Sequence, residues 1–237
     1  VYAASIKEAK YKDAGATLNS LLAGFEKNEK IMLMKVASDG KLLTVSKDGN
    51  VKLTDFADLD TRKTKIAACG LKPDDELIYA APLTEDKNLL IVTAHGMSIL
   101  FNKEEISIQG RSGKGVGAIK LGAGDKVIYA AQPKEEGYVA VFSNNGFAKK
   151  TPLSEYEVQG RNGKGLKTFM WAKGSANGTK LSAAHYFINQ ERFYLKTRAG
   201  VHKTVSTSDI PTQARYQKGS VMIMAVLGDD LETVTKL

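Results

Sequence analysis

The segment QGRSGKG at residues 109–115 places Arg111 and Lys114 among three glycines. Glycine-rich loops can hold phosphate groups, because their backbone N–H groups approach an anion closely. The spacing matches neither common nucleotide-binding loop, however. Val116 stands where a Walker loop has its lysine, and the residues that follow are apolar and interrupted by glycine where a dinucleotide site needs a helix. Nucleotide binding is therefore disfavoured, and the two cations need another explanation.

The same loop returns at intervals of about 50 residues. QGRNGKG occupies residues 159–165, QARYQKG occupies 213–219, and DTRKTKI at 60–66 keeps an arginine and a lysine three positions apart. The sequence thus presents one basic pair four times, as Arg62/Lys65, Arg111/Lys114, Arg161/Lys164 and Arg215/Lys218.

Predicted β-hairpins must position these loops. Four segments each combine an apolar arm, a polar turn ending in glycine and a second alternating arm, which is a hairpin signature. Further apolar segments at 29–37, 75–82 and 125–133 predict buried strands. The segment at 15–29 has leucines at helical spacing, but its repeat register favours strand and loop. The turn glycines are Gly49, Gly96, Gly146 and Gly200.

Each repeat therefore supplies about four short strands and no convincing helix, which is the size of a propeller blade. The predicted fold is all-β and propeller-like, in a single domain of 237 residues. The blade-like repeats are expected at roughly 1–38, 39–84, 85–134, 135–188 and 189–237.

The positive charge is concentrated in the second half of the chain. Residues 1–108 contain 15 Lys and Arg against 16 Asp and Glu, whereas residues 109–237 contain 19 against 10. Such a one-sided excess favours a face that binds a polyanion. Duplex DNA fits a regular basic track, because it presents about one negative charge per 1.7 Å of axis. If all four pairs met phosphates, log K would fall against log salt with a slope of about −7.

Other chemistry finds little support in the sequence. A single cysteine, Cys69, excludes a disulfide within the chain and a multi-thiolate metal site. His95, His185 and His202 have no companions at metal-binding spacing, and no apolar run is long enough for a membrane helix. We therefore expect no catalytic residue, metal or cofactor in this domain.

Two alternatives stay open at this point. One is a propeller that serves as a scaffold for protein interactions. A repeated arginine can also bond carbonyl groups between blades, so the recurrence of the loop by itself is compatible with a purely structural role. A propeller enzyme would need repeated acidic positions, and none is recognised. The first repeat favours a functional role for the charges, because it has Tyr11 and Ala14 in the register of Arg111 and Lys114 yet keeps Gly15.

The segments EISIQGRSGKGVGAIKLGAGDKVIYA and KKTPLSEYEVQGRNGKGLKTF resemble the C-terminal domain of bacterial type IIA topoisomerase A subunits, from gyrase and topoisomerase IV. The resemblance implies a β-pinwheel, a disc of about five four-stranded blades that exchange strands. It also implies a domain without catalytic residues that bends or wraps duplex DNA around a basic rim, as part of an ATP-dependent enzyme.

The resemblance favours topoisomerase IV over gyrase. The gyrase motif reads Q-R-R-G-G-K-G, and here Gly110 and Gly160 replace its first arginine, while Ser112 and Asn162 replace its first glycine. Relaxation and decatenation are thus expected, with the gyrase domain, which wraps DNA for negative supercoiling, as the alternative.

The resemblance further implies a bacterial cytoplasmic, nucleoid-associated protein. Its expected partners are duplex DNA, the ATPase B subunit and the remainder of the A subunit, with ATP and Mg²⁺ used by the whole enzyme and no membrane contact. The predicted DNA-binding residues are Arg62, Lys65, Arg111, Lys114, Lys120, Lys149, Lys150, Arg161, Lys164, Lys167, Lys203, Arg215 and Lys218, and Lys52 lies near the same loops in sequence.

Overall fold

A computed structural model describes residues 6–22, 24–26, 29–36, 39–63, 65–225 and 228–237. The fold is all-β, as predicted, and the only α-helix in these ranges is the four-residue α1 (Leu18–Leu21). The strands in chain order are β1 (Lys41–Ser46), β2 (Asn50–Asp55), β3 (Leu77–Pro82), β4 (Asn88–Thr93), β5 (Met97–Asn102), β6 (Val116–Gly117), β7 (Val127–Ala131), β8 (Tyr138–Ser143), β9 (Phe147–Pro152), β10 (Leu166–Lys167), β11 (Leu181–Phe187), β12 (Arg192–Thr197), β13 (His202–Ser206), β14 (Ser220–Val221) and β15 (Leu231–Lys236).

Within the described ranges these strands form four antiparallel sheets, each built around one predicted hairpin. Three sheets have four strands, in the orders β3-β1-β2-β6, β7-β4-β5-β10 and β11-β8-β9-β14. The fourth has three, in the order β15-β12-β13. The expectation of about five blades thus compares with four sheets, because the described part of the first repeat contributes no strand.

Strands are exchanged between neighbouring repeats. β6, β10 and β14 each follow the basic loop of one repeat and pair with the hairpin of the repeat before it. β13 receives no such strand within the described residues, so it lies at an open edge of its sheet. The exchange places each basic loop beside the second hairpin strand of the preceding sheet.

The hydrophobic core lies between successive sheets, in three clusters. β4 shows why its sequence is continuously apolar. Leu89 and Ile91 pack into the cluster shared with the first sheet, while Leu90 and Val92 pack into the cluster shared with the third. Because alternate side chains of a strand point to opposite faces, a sheet covered on both sides needs apolar residues at every position.

The first repeat differs from the prediction. Residues 18–21 form a short helix rather than a strand, and the described part of the predicted strand at 29–37 is not a strand; Ala37 lies outside the described residues. β3, β7, β11 and β15 each pair with the first hairpin strand of their own repeat. The described part of the first repeat has no opening hairpin that could pair with residues 29–36 in this way, and Met34 and Val36 remain exposed.

Candidate nucleic-acid interface

Three basic loops, at residues 109–115, 159–165 and 213–219, occupy equivalent places at one edge of successive sheets. Each begins with a glutamine whose backbone N–H donates to a carbonyl of the adjacent hairpin, at 2.8 to 2.9 Å. In two of the loops the glutamine side chain also closes the loop. The Oε1 atoms of Gln109 and Gln213 accept the N–H of the last loop glycine at 3.0 Å.

The last glycine of each loop is required by its backbone. Gly115, Gly165 and Gly219 have φ of +82°, +73° and +71°, a region that side chains with a Cβ rarely adopt. A Cβ on Gly165 would also lie 2.5 Å from the carbonyl oxygen of Ser98. The motif therefore ends at a fixed point against the preceding sheet.

The lysine before each of these glycines is exposed. Lys114, Lys164 and Lys218 make no side-chain hydrogen bond or ion pair with the described part of the chain. Burying a lysine without a partner is costly, whereas an ammonium in water is free to meet an anion. The three lysines thus form a repeated set of available positive charges.

The arginines of the same loops have two different environments. The Arg161 guanidinium donates from Nε to the Glu105 carbonyl at 2.9 Å and from Nη1 to the Gly117 carbonyl. The Arg215 Nη1 donates to the carbonyl of Lys167 at 2.6 Å. Arg111 is exposed and makes no such bond with the described residues. A structural role within the fold thus applies to Arg161 and Arg215, which tie neighbouring repeats together.

Carboxylates that sequence reasoning missed support these arginines. Oε2 of Glu105 accepts the backbone N–H of Arg161 at 2.8 Å, and Oε2 of Glu155 accepts that of Arg215 at 2.7 Å. Both lie nine residues after their turn glycine, and Asp58 and Asp209 occupy the same position in the other repeats. An acidic position is therefore repeated after all, and aligning the repeats on the turn glycines would have revealed it.

Lys149 is not on the surface, so the prediction that it contacts DNA is wrong. It is 0% exposed, and its Nζ donates to Thr151 Oγ1 at 2.6 Å and to the carbonyls of Ala214 and Arg215 at 2.9 and 2.8 Å. Burial lowers the pKa of Lys149 to about 7, and the nearby Glu155 carboxylate opposes that shift. Its position in an alternating strand gave no sign of this burial.

Lys52 is buried in the same way, at 1% exposed. Its Nζ donates to the carbonyls of Ala68, Gly110 and Arg111 at 2.8, 3.2 and 3.1 Å. Burial also lowers the pKa of Lys52. A third buried lysine, Lys103, bonds Thr84 and Gln132, which lie outside the loops.

The remaining predicted residues are distributed unevenly. Lys150 is half-buried, and its Nζ donates to the Thr207 carbonyl at 2.6 Å. Lys167 is exposed, with its ammonium 5.2 Å from the ring centre of Tyr216. Lys120 is exposed beside the second basic loop, and Lys203 is exposed on the open edge strand β13. Of these four, only Lys150 has its ammonium bonded to a backbone carbonyl of the described residues.

The loop at 60–66 is not equivalent to the other three, contrary to the prediction. Backbone bonds from Gly70 to Gly113, from Lys120 to Gly163 and from Met170 to Gln217 show which positions correspond. Counted back from Gly70, the arginine and lysine fall one residue out of register. Lys65 bonds the carbonyl of Gly24 and the Glu29 carboxylate, both at 2.8 Å, while Arg62 is exposed.

Sheets linked by exchanged strands, with a basic loop at the same edge of successive sheets, define a propeller-like domain with a repeated cationic border. The family model of the DNA gyrase C-terminal domain, described as a β-propeller, matches residues 40–84, 87–134 and 137–170. The chain belongs to this family.

Curated relatives include A subunits of DNA gyrase and of DNA topoisomerase IV. The gyrase A protein of Lawsonia intracellularis is 33% identical over 96 residues, which cover 40% of this chain and 12% of that protein. The topoisomerase IV A protein of Streptococcus pneumoniae is 28% identical over 125 residues, covering 49% and 15%. The chain thus matches only a small part of the length of these relatives.

Solved structures agree on the fold. The C-terminal domain of a DNA topoisomerase IV superposes with a TM-score of 0.86 at 24% identity, over 97% of this chain and 72% of that one. A DNA gyrase A C-terminal domain gives 0.77 at 20% identity, over 95% and 75%.

Metal-binding clusters and membrane helices are both absent from the described ranges. No three His, Cys, Asp or Glu side chains are grouped there so that they could hold a metal ion. No helix in the same ranges is long and apolar enough to cross a membrane.

Proposed function

We propose that this domain binds and bends duplex DNA along the border formed by its three basic loops, without catalysing a reaction itself. The observation that carries the proposal is the set Lys114, Lys164 and Lys218, three exposed lysines at the same place in three equivalent loops. Arg111, Lys120 and Lys167 add exposed charge beside them. A ladder of phosphates is the natural ligand for cations that repeat along an edge.

The ligand would be read through its backbone rather than its bases. Base readout in the major groove usually needs an inserted helix or a two-stranded ribbon. In the described ranges the hairpins are all paired within sheets, and the one α-helix has four residues and lies far from the basic loops in sequence. Specificity would then come from how easily the duplex bends.

Within a type IIA topoisomerase, the domain would guide a DNA segment toward catalytic parts that lie elsewhere. We propose a topoisomerase IV-like role in relaxation and decatenation. The absence of an intact Q-R-R-G-G-K-G motif in either central loop supports this choice. The gyrase alternative is supported by the 33% identity with a gyrase A protein. In either case we propose two partners, the B subunit of the enzyme together with the remainder of its A subunit.

Salt-dependent DNA binding tests the central proposal. Each phosphate contact contributes about 0.9 to the slope of log K against log salt, so replacing Lys114, Lys164 and Lys218 by Ala should make the slope shallower by about 2.7. Fluorescence anisotropy of a labelled duplex of about 40 base pairs, measured between about 50 and 200 mM salt, would give the slope.

A matched control removes the same charge elsewhere. Lys72, Lys126 and Lys173 are exposed and lie outside the three loops. Replacing them by Ala should leave the slope nearly unchanged. If both triple variants lose the same amount, the loops are not a site and only net charge matters.

Ligation of nicked circles in the presence of the domain separates bending from wrapping. A topoisomerase IV-like domain should change the linking number little, whereas a gyrase-like domain should leave closed circles with a distinct shift. Binding that is weak and independent of salt would instead favour a scaffold for protein interactions.

A further inference from the structure

The buried lysines Lys52 and Lys149 offset the cost of their burial through hydrogen bonds to neutral groups. Neither ammonium bonds a carboxylate of the described residues; their partners are backbone carbonyls and one hydroxyl. Taking a charged group out of water is costly, and well-packed apolar residues often stabilise such a site as well or better. The groups that the two ammonium groups bond therefore indicate what a lysine does at these positions.

The two lysines bond the same part of their loops. Lys52 holds the carbonyls of Gly110 and Arg111, and Lys149 holds those of Ala214 and Arg215, which are the second and third residues of the motif in each case. Both lie three residues after a turn glycine, and both reach across to the loop of the following repeat.

A second hydrogen bond strengthens the contact at Lys149. Thr151 Oγ1 accepts from the Lys149 ammonium and donates to the carbonyl of Gln213 at 2.8 Å. Three successive backbone carbonyls of the loop, those of residues 213, 214 and 215, therefore accept hydrogen bonds from Lys149 and Thr151. With these groups turned inward, Tyr216, Gln217 and Lys218 of the same loop remain exposed.

In the second sheet the basic loop is held without a buried lysine. Ile99 occupies the lysine position there, and its Cδ1 lies 3.6 Å from the place that a Cβ on Gly163 would take. In that loop Arg161 supplies two hydrogen bonds to the preceding repeat, which Arg111 does not. The loop at 109–115, whose Arg111 makes no such bond, is thus held by the buried Lys52.

We infer that Lys52 and Lys149 are positioning residues for DNA binding: from the interior they fix the loop backbone so that Lys114 and Lys218 face the ligand. This inference rests on the proposed function. Two side chains that lie in the interior are then necessary for the arrangement of charge on the surface.

The test compares Lys149→Met with Lys103→Met. Methionine keeps an unbranched chain of similar length without the charge. Lys103 is also buried, at 6% exposed, but its hydrogen bonds are to residues outside the loops, so it is the matched control. Near-UV circular dichroism and the melting temperature would establish that both variants fold, and Lys52→Met provides an independent second case.

Two readouts are needed, at a pH of about 6, which lies below the Lys149 pKa of about 7. NMR of the wild type should show couplings across the hydrogen bonds from the Lys149 ¹⁵Nζ to the carbonyl carbons of Ala214 and Arg215. Lys149→Met should reduce the salt slope by about 0.9, the loss of one phosphate contact, and Lys103→Met should not change it. Combining Lys149→Met with Lys218→Ala should reduce the slope no further than either alone.

Additive losses in the combined variant, or an unchanged slope in Lys149→Met, would overturn the inference. Equal losses in Lys149→Met and Lys103→Met would assign the effect to the fold in general, which also overturns it. None of these outcomes touches the proposed function, which fails separately if Lys218→Ala and the triple loop variant bind DNA as the wild type does.

Discussion

Within one basic loop, substitution of the arginine should affect folding stability and substitution of the lysine should affect DNA binding. Arg161 and Lys164 allow the clearest test. The Arg161 side chain donates two hydrogen bonds to backbone carbonyls of the preceding repeat, whereas Lys164 donates none to the described residues. Hydrogen bonds from a charged donor contribute about 1.5–3 kcal/mol each. Because Arg161 is half-buried, we take the low end of about 1.5 kcal/mol for each of the two bonds, so Arg161→Ala should cost about 3 kcal/mol of unfolding free energy.

Lys164→Ala should show the opposite profile. An exposed substitution changes stability by about 0.5 kcal/mol or less. Its loss should appear as a salt slope of DNA binding that is shallower by about 0.9. Urea denaturation followed by tryptophan fluorescence at Trp171 measures the first quantity, and anisotropy at several salt concentrations measures the second.

Arg111→Ala is the control for the arginine. Arg111 holds the same motif position as Arg161 but is exposed and makes no interblade bond with the described residues. It should therefore behave like Lys164, with stability kept and the slope reduced. The reasoning is refuted if Arg161→Ala unfolds at the same urea concentration as Arg111→Ala, because the two bonds would then contribute nothing measurable.

Three further predictions concern single positions. The folded-state pKa of Lys149, about 7, lies below the ordinary lysine value of 10.5, so the unfolded chain binds more protons between these values. The unfolding free energy of the wild type should therefore rise relative to that of Lys149→Met from a pH of about 7 to about 9.5. Urea denaturation that gives the same difference between the two proteins at both pH values would contradict this. Gly165→Ala should cost roughly 1–3 kcal/mol through its positive φ, whereas Gly160→Ala, with open space around it, should cost little in the same urea assay. Lys203→Val removes a charge from an open sheet edge and should increase self-association in sedimentation experiments, while an unchanged sedimentation coefficient would show that the edge is protected in another way.

The repeated architecture could be predicted from the sequence because it depends on local signals. Turn glycines such as Gly96 mark each hairpin, and the continuous apolar run of β4 marks a strand buried on both faces. The first repeat could not be predicted equally well. Its apolar residues at 29–36 look like a strand, but a strand forms only where a partner edge exists, and no opening hairpin among the described residues supplies one.

The candidate site was predictable only in part, because identical residues meet different neighbours. Lys149 and Lys203 both lie three residues after a turn glycine, yet the first is covered by the next loop and the second lies on an open edge. Arg111 and Arg161 share one motif, and only the second finds two carbonyls within reach among the described residues. Which cations stay available is thus decided by long-range packing that no local motif encodes.

The exchange of strands also sets an order on synthesis at the ribosome. The first hairpin is complete when residue 55 has emerged, but β6, which closes its sheet, comes at residues 116–117. Each of the first three sheets therefore has an unpaired edge until the next repeat has been translated. A chain released during this part of synthesis, after a whole number of repeats, would end with a hairpin that lacks its exchanged strand. These sheets are thus completed one repeat after their hairpins have been synthesised.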